Sequence, residues 1–177
     1  TNDRTMIGRG LPIHTGGFTN NFEYKGFDLS VFFQWSYGND VLNANRLFFD
    51  SGFQKKRELN QYASYTNRWT PENPNSDIPA ATNSSSNLVI SSRVVEDASF
   101  LRLKTVTLGY TVPKTFLKKY KIDNARLYVA AQNLWTITGY SGYDPEVSIR
   151  SGGLTPGLDF SSYPRALSVS FGINLGF

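Results

Sequence analysis

The chain has 177 residues, enough for one domain, with 15% aromatic residues, no cysteine and a formal net charge of +4. The missing thiols exclude disulfides and thiolate metal centres. No apolar run approaches the ~20 residues of a spanning helix, which excludes a helical membrane protein but leaves a membrane barrel open, because alternating strands average to near-neutral hydropathy. Gly and Asn are frequent and helix formers sparse, so the composition favours an all-β chain. The basic residues sit in two polar stretches, Lys55-Lys56-Arg57 and Lys114, Lys118, Lys119 and Lys121. They read as solvated connections, and no nucleic-acid partner is expected. No signal peptide opens the sequence, so Thr1 is expected to lie inside a longer protein.

In chain order, Thr15–Tyr24 reads as a strand, Lys25-Gly26 as a tight turn, and Phe27–Tyr37 as the returning strand of a hairpin. Gly38 to Ser99 is a long polar connection with Pro71, Pro74 and Pro79. Within it, Val41–Phe49 and Lys55–Tyr65 are expected as short helices and Leu88–Val95 as a strand. Phe100–Tyr110 is a third strand whose parity breaks. Leu101 and Leu103 lie on one parity, and Val106, Leu108 and Tyr110 on the other. Either a bulge switches the faces or part of the strand stands above the lipid. Val112–Asp123 is a short basic connection, Asn124–Trp135 a fourth strand, Gly139–Pro164 a second long connection, and Arg165–Phe177 a fifth strand.

The alternation is cleanest in the second and last strands. Phe27, Leu29, Val31 and Phe33 share one parity with Trp35 and Tyr37, and Leu167, Val169, Phe171, Ile173 and Leu175 share one parity with Phe177. The other parity of the last strand carries Ser168, Ser170 and Asn174. Strand side chains alternate between faces, so one face is apolar and the other small and polar. The apolar face is expected to meet lipid. Connections alternate short, long, short, long, as in outer-membrane barrels with short periplasmic turns. Tyr24, Tyr110 and Phe177 then fall at the short-turn rim, and Tyr37 and Trp135 at the long-loop rim, as two aromatic girdles. Five open strands cannot close a barrel and would leave bare edges in lipid, so more strands are expected from elsewhere.

Four strings carry a family resemblance. They are Gly16-Gly17-Phe18 with Tyr24-Lys25-Gly26-Phe27-Asp28-Leu29-Ser30; Ser99-Phe100-Leu101-Arg102-Leu103-Lys104 with Leu108-Gly109-Tyr110; Gln132-Asn133-Leu134; and Gly139-Tyr140-Ser141-Gly142-Tyr143-Asp144-Pro145-Glu146. In order and spacing, from about Ile7 to Phe177, the chain resembles the C-terminal barrel region of the SusC/RagA family, the TonB-linked outer-membrane transporters of Bacteroidetes. The resemblance implies an antiparallel transmembrane β-barrel of about 22 strands, of which residues 1–177 supply about the last five. It implies a plug and a TonB-contacting box upstream, import of glycan or peptide fragments, and a SusD-like surface lipoprotein as partner. It implies no enzyme and no cofactor.

The chemistry visible in the residues agrees. His14 is the sole histidine, and nothing marks a serine or a ligand set to join it. Asp144 and Glu146 around Pro145 read as a turn anchored by a carboxylate, with calcium or substrate contact as the lesser reading. Tyr62, Tyr65 and Trp69 in the first long connection are candidates for contact with a partner or substrate, or for packing of the loop. A soluble β-sandwich, a carbohydrate-binding or adhesion module, is the alternative. It would explain the alternation, but not the girdles or the alternating connection lengths.

Overall fold

The computed structural model describes residues 4–52, 60–82, 88–149 and 156–177. The strands are β1 (His14–Tyr24), β2 (Phe27–Tyr37), β3 (Asp40–Asn43), β4 (Val95–Asp97), β5 (Phe100–Thr111), β6 (Asn124–Thr138), β7 (Leu158–Asp159) and β8 (Ser168–Gly176). Two short helices are α1 (Ala44–Phe49) and α2 (Lys114–Leu117). The chain divides into two units, one holding residues 14–37, 100–138 and 165–177, the other the remaining segments.

The first unit is a five-stranded antiparallel sheet in the order β1-β2-β5-β6-β8. Its hairpin turns on Lys25 and Gly26, both at positive φ (48° and 87°). That geometry matches the twist of the flanking strands. Directly opposed residues share a face. The row Phe22–Leu29–Leu108–Val129–Phe171 therefore runs straight across the sheet, as does Tyr24–Phe27–Tyr110–Leu127–Ile173. The other face carries rows such as Asn21–Ser30–Thr107–Ala130–Ser170.

The parity break in β5 is a bulge. Phe32 pairs with Thr105 and Phe33 with Leu103, leaving Lys104 as the extra residue. The shift returns Leu103 and Leu101 to the face of Val106 and Leu108, because one inserted residue inverts the alternation beyond it. β6 compensates in turn. Leu103 pairs with Trp135 and Thr105 with Gln132, and Asn133 between them adopts a left-handed φ of 53°. The Asn133 side chain donates to the Ala166 carbonyl at 3.0 Å. The Gln-Asn-Leu string is thus a backbone device: Asn tolerates this conformation where a β-branched residue would not.

Glycines explain two more strings. A Cβ on Gly16 would overlap the Trp35 ring, and one on Gly17 would overlap Phe32. These two aromatics lie on opposite faces of β2, which accounts for Phe32 as the one apolar side chain on the polar parity. On the polar face, Arg126 of β6 reaches Asp28 of β2 across the central strand β5 in a bidentate pair. The side chains meet over Gly109, where a Cβ would collide with both. Gly109→Val is expected to break the pair and slow barrel assembly. Heat-modifiable gel mobility of the full-length protein checks this.

The second unit is built from the two long connections and residues 4–13. Its three-stranded sheet has the order β4-β3-β7, with β3 antiparallel to β4 and parallel to β7. Val41, Ala98 and Tyr140 form its core, with Val94 and Ile78 also buried. The expected helix over Val41–Phe49 is half strand: β3 occupies 40–43 and only α1 is helical. Val41 and Leu42 pair with Glu96 and Val95, a partner more than fifty residues away, and this tertiary pairing overrides local propensity. Asn43 then caps α1, accepting from the Arg46 amide at 3.4 Å. Of the expected helix over Lys55–Tyr65, residues 55–59 lie outside the described residues, and the remainder gives a 3-10 turn at Ala63–Asn67. The expected strand over Leu88–Val95 is a 3-10 turn at Ser92–Val94 followed by β4. The last strand begins at Ser168, so Leu167 stands just before it. β6 runs on to Thr138, which places Trp135 three residues inside its strand.

Candidate functional site

Two surfaces carry the functional argument, one in each unit. On the sheet, Phe27, Val169, Phe171, Ile173 and Leu175 are all exposed, Phe171 at 83% of its surface. Leu29, Val31 and Phe33 lie on the same face and are half-buried by their cross-strand neighbours. A soluble sandwich buries such a face beneath a second sheet. Here the apolar side chains form one contiguous face, exposed or half-buried, of the kind that marks an interaction or membrane surface.

Aromatic residues collect at both ends of that face. At the short-turn end, Phe27 and Tyr110 meet at 4.5 Å between ring centroids, with Tyr24 exposed at the end of β1 and Phe177 exposed just after β8. At the other end, His14 stacks on Tyr37 at 5.1 Å and accepts a hydrogen bond from Trp35 Nε1 at 3.1 Å. The single histidine is therefore part of an aromatic cluster. Among the described residues, no group of three metal-ligating side chains occurs.

In the second unit, the Gly139–Glu146 string ties the two long connections together. The Tyr140 hydroxyl donates to Asp159 at 2.7 Å in a buried site. Burial, reinforced by Asp159, drives its phenol pKa far above the usual range. The Ser141 amide donates to Glu96 at 2.9 Å, and Asn43 Nδ2 donates to the same carboxylate at 3.1 Å. Arg46 adds an ion pair to Glu96 at 3.3 Å. Asp50, its side chain only 2% exposed, is held by Arg93 at 3.4 Å and Ser64 at 3.0 Å. Asp144 accepts from the Glu146 amide at 3.0 Å, the turn-anchoring role expected from sequence.

Burial alone would raise the Glu96 pKa. The hydrogen bonds from Ser141 and Asn43, with the Arg46 charge, more than offset this and hold it below the usual carboxylate range. Between the lowered folded value and the ordinary one, the unfolded state binds more protons, so stability rises with pH there. The contribution of Glu96 to this unit's stability is therefore expected to be complete above its ordinary value of 4.5 and to be lost as pH falls through its lowered folded value. Hydrogen exchange at the Ala98 amide, bonded to Asn39 at 2.8 Å, should accelerate on acidification. Glu96→Gln should flatten that dependence.

The three aromatic candidates of the first long connection separate. Tyr62 packs on Phe49 at 5.6 Å and remains partly exposed. Trp69 is partly exposed, its backbone amide bound to Ile78 at 2.8 Å. Tyr65 turns inward: its hydroxyl is buried over Gly52, and Arg68 lies over its ring at 5.2 Å. A cleft of about 620 Å³ lies between Tyr62 and Tyr143, with Asn45, Arg46, Asp77 and Ser141 along it. Tyr143, 87% exposed, is an outward-facing aromatic that was not singled out from the sequence. Its place in the Gly-Tyr-Asp-Pro-Glu string was visible, but its outward projection depends on Tyr140 being the buried member of the pair.

No family model matches the chain. It is similar to the TonB-dependent receptor P3 of Formosa agariphila, with 40% identity over all of this chain and 18% of the receptor's length. It is 30% identical to the TonB-dependent receptor SusC of Bacteroides thetaiotaomicron, over 91% of this chain and 15% of SusC. Its fold superposes on the RagAB peptide importer in the closed-closed state with a TM-score of 0.81 and 31% identity, covering 97% of this chain and 18% of that one. The chain thus spans less than a fifth of the length of the relatives it matches. With an exposed apolar sheet face, aromatic rims and this similarity in sequence and fold, the chain is a β-barrel segment of the SusC/RagA type of TonB-dependent outer-membrane transporters.

Proposed function

We propose that this chain supplies the last five strands of the barrel wall in an active importer, and that its long connections form part of the extracellular mouth. In this reading, Phe27, Leu29, Val31, Phe33, Leu167, Val169, Phe171, Ile173 and Leu175 meet lipid, and Tyr24, Tyr37, Tyr110, Trp135 and Phe177 anchor the two interfaces. The remaining strands of the parent close the barrel against β1 and β8, the two edges of the sheet, and the plug fills its lumen. The observation that carries the reading is the continuous apolar face across all five strands, backed by a polar face with an ion pair. The parent would take up glycan or peptide fragments with energy delivered through TonB. RagAB is a peptide importer by its name, which supports the peptide member of that class.

A SusD-like lipoprotein is the proposed extracellular partner, docking on the long connections. The support is that these connections are folded, with their own buried core and ion pairs. Ordered loops present the partly exposed Tyr62 and Trp69 and the exposed Tyr143 at low further entropic cost. The test replaces Tyr62–Trp69 with a short Gly-Ser linker in the full-length transporter and measures co-purification of the lipoprotein. Loss of the lipoprotein with the barrel still folded is expected. Undiminished retention would remove this connection as the dock.

A further inference from the structure

The sheet carries a second feature at its short-turn end, where β5 passes to β6. A groove of about 580 Å³ runs over the apolar face there, walled by Phe27, Leu108, Tyr110, Val129, Phe171 and Ile173. The connection that follows Thr111 is structured: α2 and a 3-10 turn at Lys118–Tyr120, closed by Lys121 at φ 57°. Leu117 is buried and pins it, while Phe116 and Tyr120 are 69% and 67% exposed. Lys114, Lys118, Lys119 and Lys121 are all exposed, and none pairs with a carboxylate among the described residues. Solvated loops do not need outward aromatics, and a girdle does not need four unpaired lysines. Apolar groove, amphipathic aromatics and clustered positive charge together match one ligand chemistry: an acyl chain ending in an anionic phosphate headgroup.

We infer that this end of the sheet is a docking site for an anionic glycerophospholipid of the periplasmic leaflet. An acyl chain lies in the groove, Phe116 and Tyr120 sit at headgroup depth, and the lysines engage the phosphate. The inference rests on the reading that short connections face the periplasm. One lysine near an anionic surface contributes about 1 kcal/mol, or about fivefold in affinity.

The experiment uses the full-length transporter in mild detergent, titrated with phosphatidylglycerol or phosphatidylcholine of the same acyl chains, with bound lipid read by native mass spectrometry. The wild type is expected to prefer phosphatidylglycerol by at least about fivefold. Replacing Lys114, Lys118, Lys119 and Lys121 with Gln should abolish that preference. Val129→Trp, which fills the groove, should reduce retention of both lipids. Lys118→Gln with Lys119→Gln serves if the quadruple variant fails to assemble, and should narrow the preference. Equal binding of the two lipids by the wild type, or an unchanged preference in the lysine variants, would overturn the site. Displacement of the lipid by soluble glycerol phosphate would also overturn it, reducing it to an anion site without a lipid. Orientation is tested separately: a cysteine at Thr115 should resist an impermeant maleimide in intact cells. Labelling there would refute the periplasmic placement, whatever the lipid titration gives.

Discussion

Phe171→Arg is expected to destabilise the folded barrel by about 2–4 kcal/mol, the cost of an arginine near the bilayer midplane. Phe171 lies mid-strand in β8, opposite Val129, and is 83% exposed in the chain. In water, an exposed Phe→Arg change would be nearly neutral. The size of the effect therefore reports what solvent the face meets. Ser170→Arg one residue away, opposite Ala130 on the polar face, should cost far less. Urea titration of the full-length protein in lipid vesicles measures both. Similar small effects at both positions would mean that the apolar face is not in hydrocarbon.

Asp50→Ala is expected to have an effect of similar size confined to the folded connections. The Asp50 carboxylate is buried between Arg93 and Arg46, at 3.4 and 3.7 Å. Removing it leaves Arg93, itself largely buried, with an uncompensated charge, which typically costs about 3–5 kcal/mol. Asp50→Asn should cost less, because the bond from Ser64 at 3.0 Å survives as a neutral one. Limited proteolysis of the full-length transporter should show new cleavage within residues 38–99 in Asp50→Ala, with barrel heat stability unchanged. Wild-type resistance to protease in that variant would show that the ion cluster does not hold this unit together.

The five long strands were legible because their signal is local. A period of two over eleven residues needs no partner to be read, and Lys25-Gly26 marked its own turn. The parity break in β5 was also visible. Whether it was a bulge or a strand leaving the lipid depended on the register with Phe32 and Phe33, which the sequence of one strand does not hold. The long connections were harder for the same reason. β3 pairs with residues 95–97 and 158–159, and no pattern within Val41–Phe49 announces it. Asp28 and Arg126, 98 residues apart, stand out only once Gly109 is known to lie between them. The strings that carried the family resemblance turn out to hold backbone positions: Gly17 admits Phe32, Asn133 takes the left-handed turn, and Tyr140 locks to Asp159.

The central claim is that one face of this sheet meets lipid and the other a wet lumen. The most direct measurement introduces single cysteines from Ser168 to Leu175 in the full-length transporter in bilayers, labels each with a nitroxide, and compares collision with oxygen, which partitions into lipid, and with a polar nickel chelate. The account predicts a strict period of two: oxygen favoured at 169, 171, 173 and 175, the chelate at 168, 170 and 174. The opposite phase, or equal access to both quenchers along β8, would contradict it.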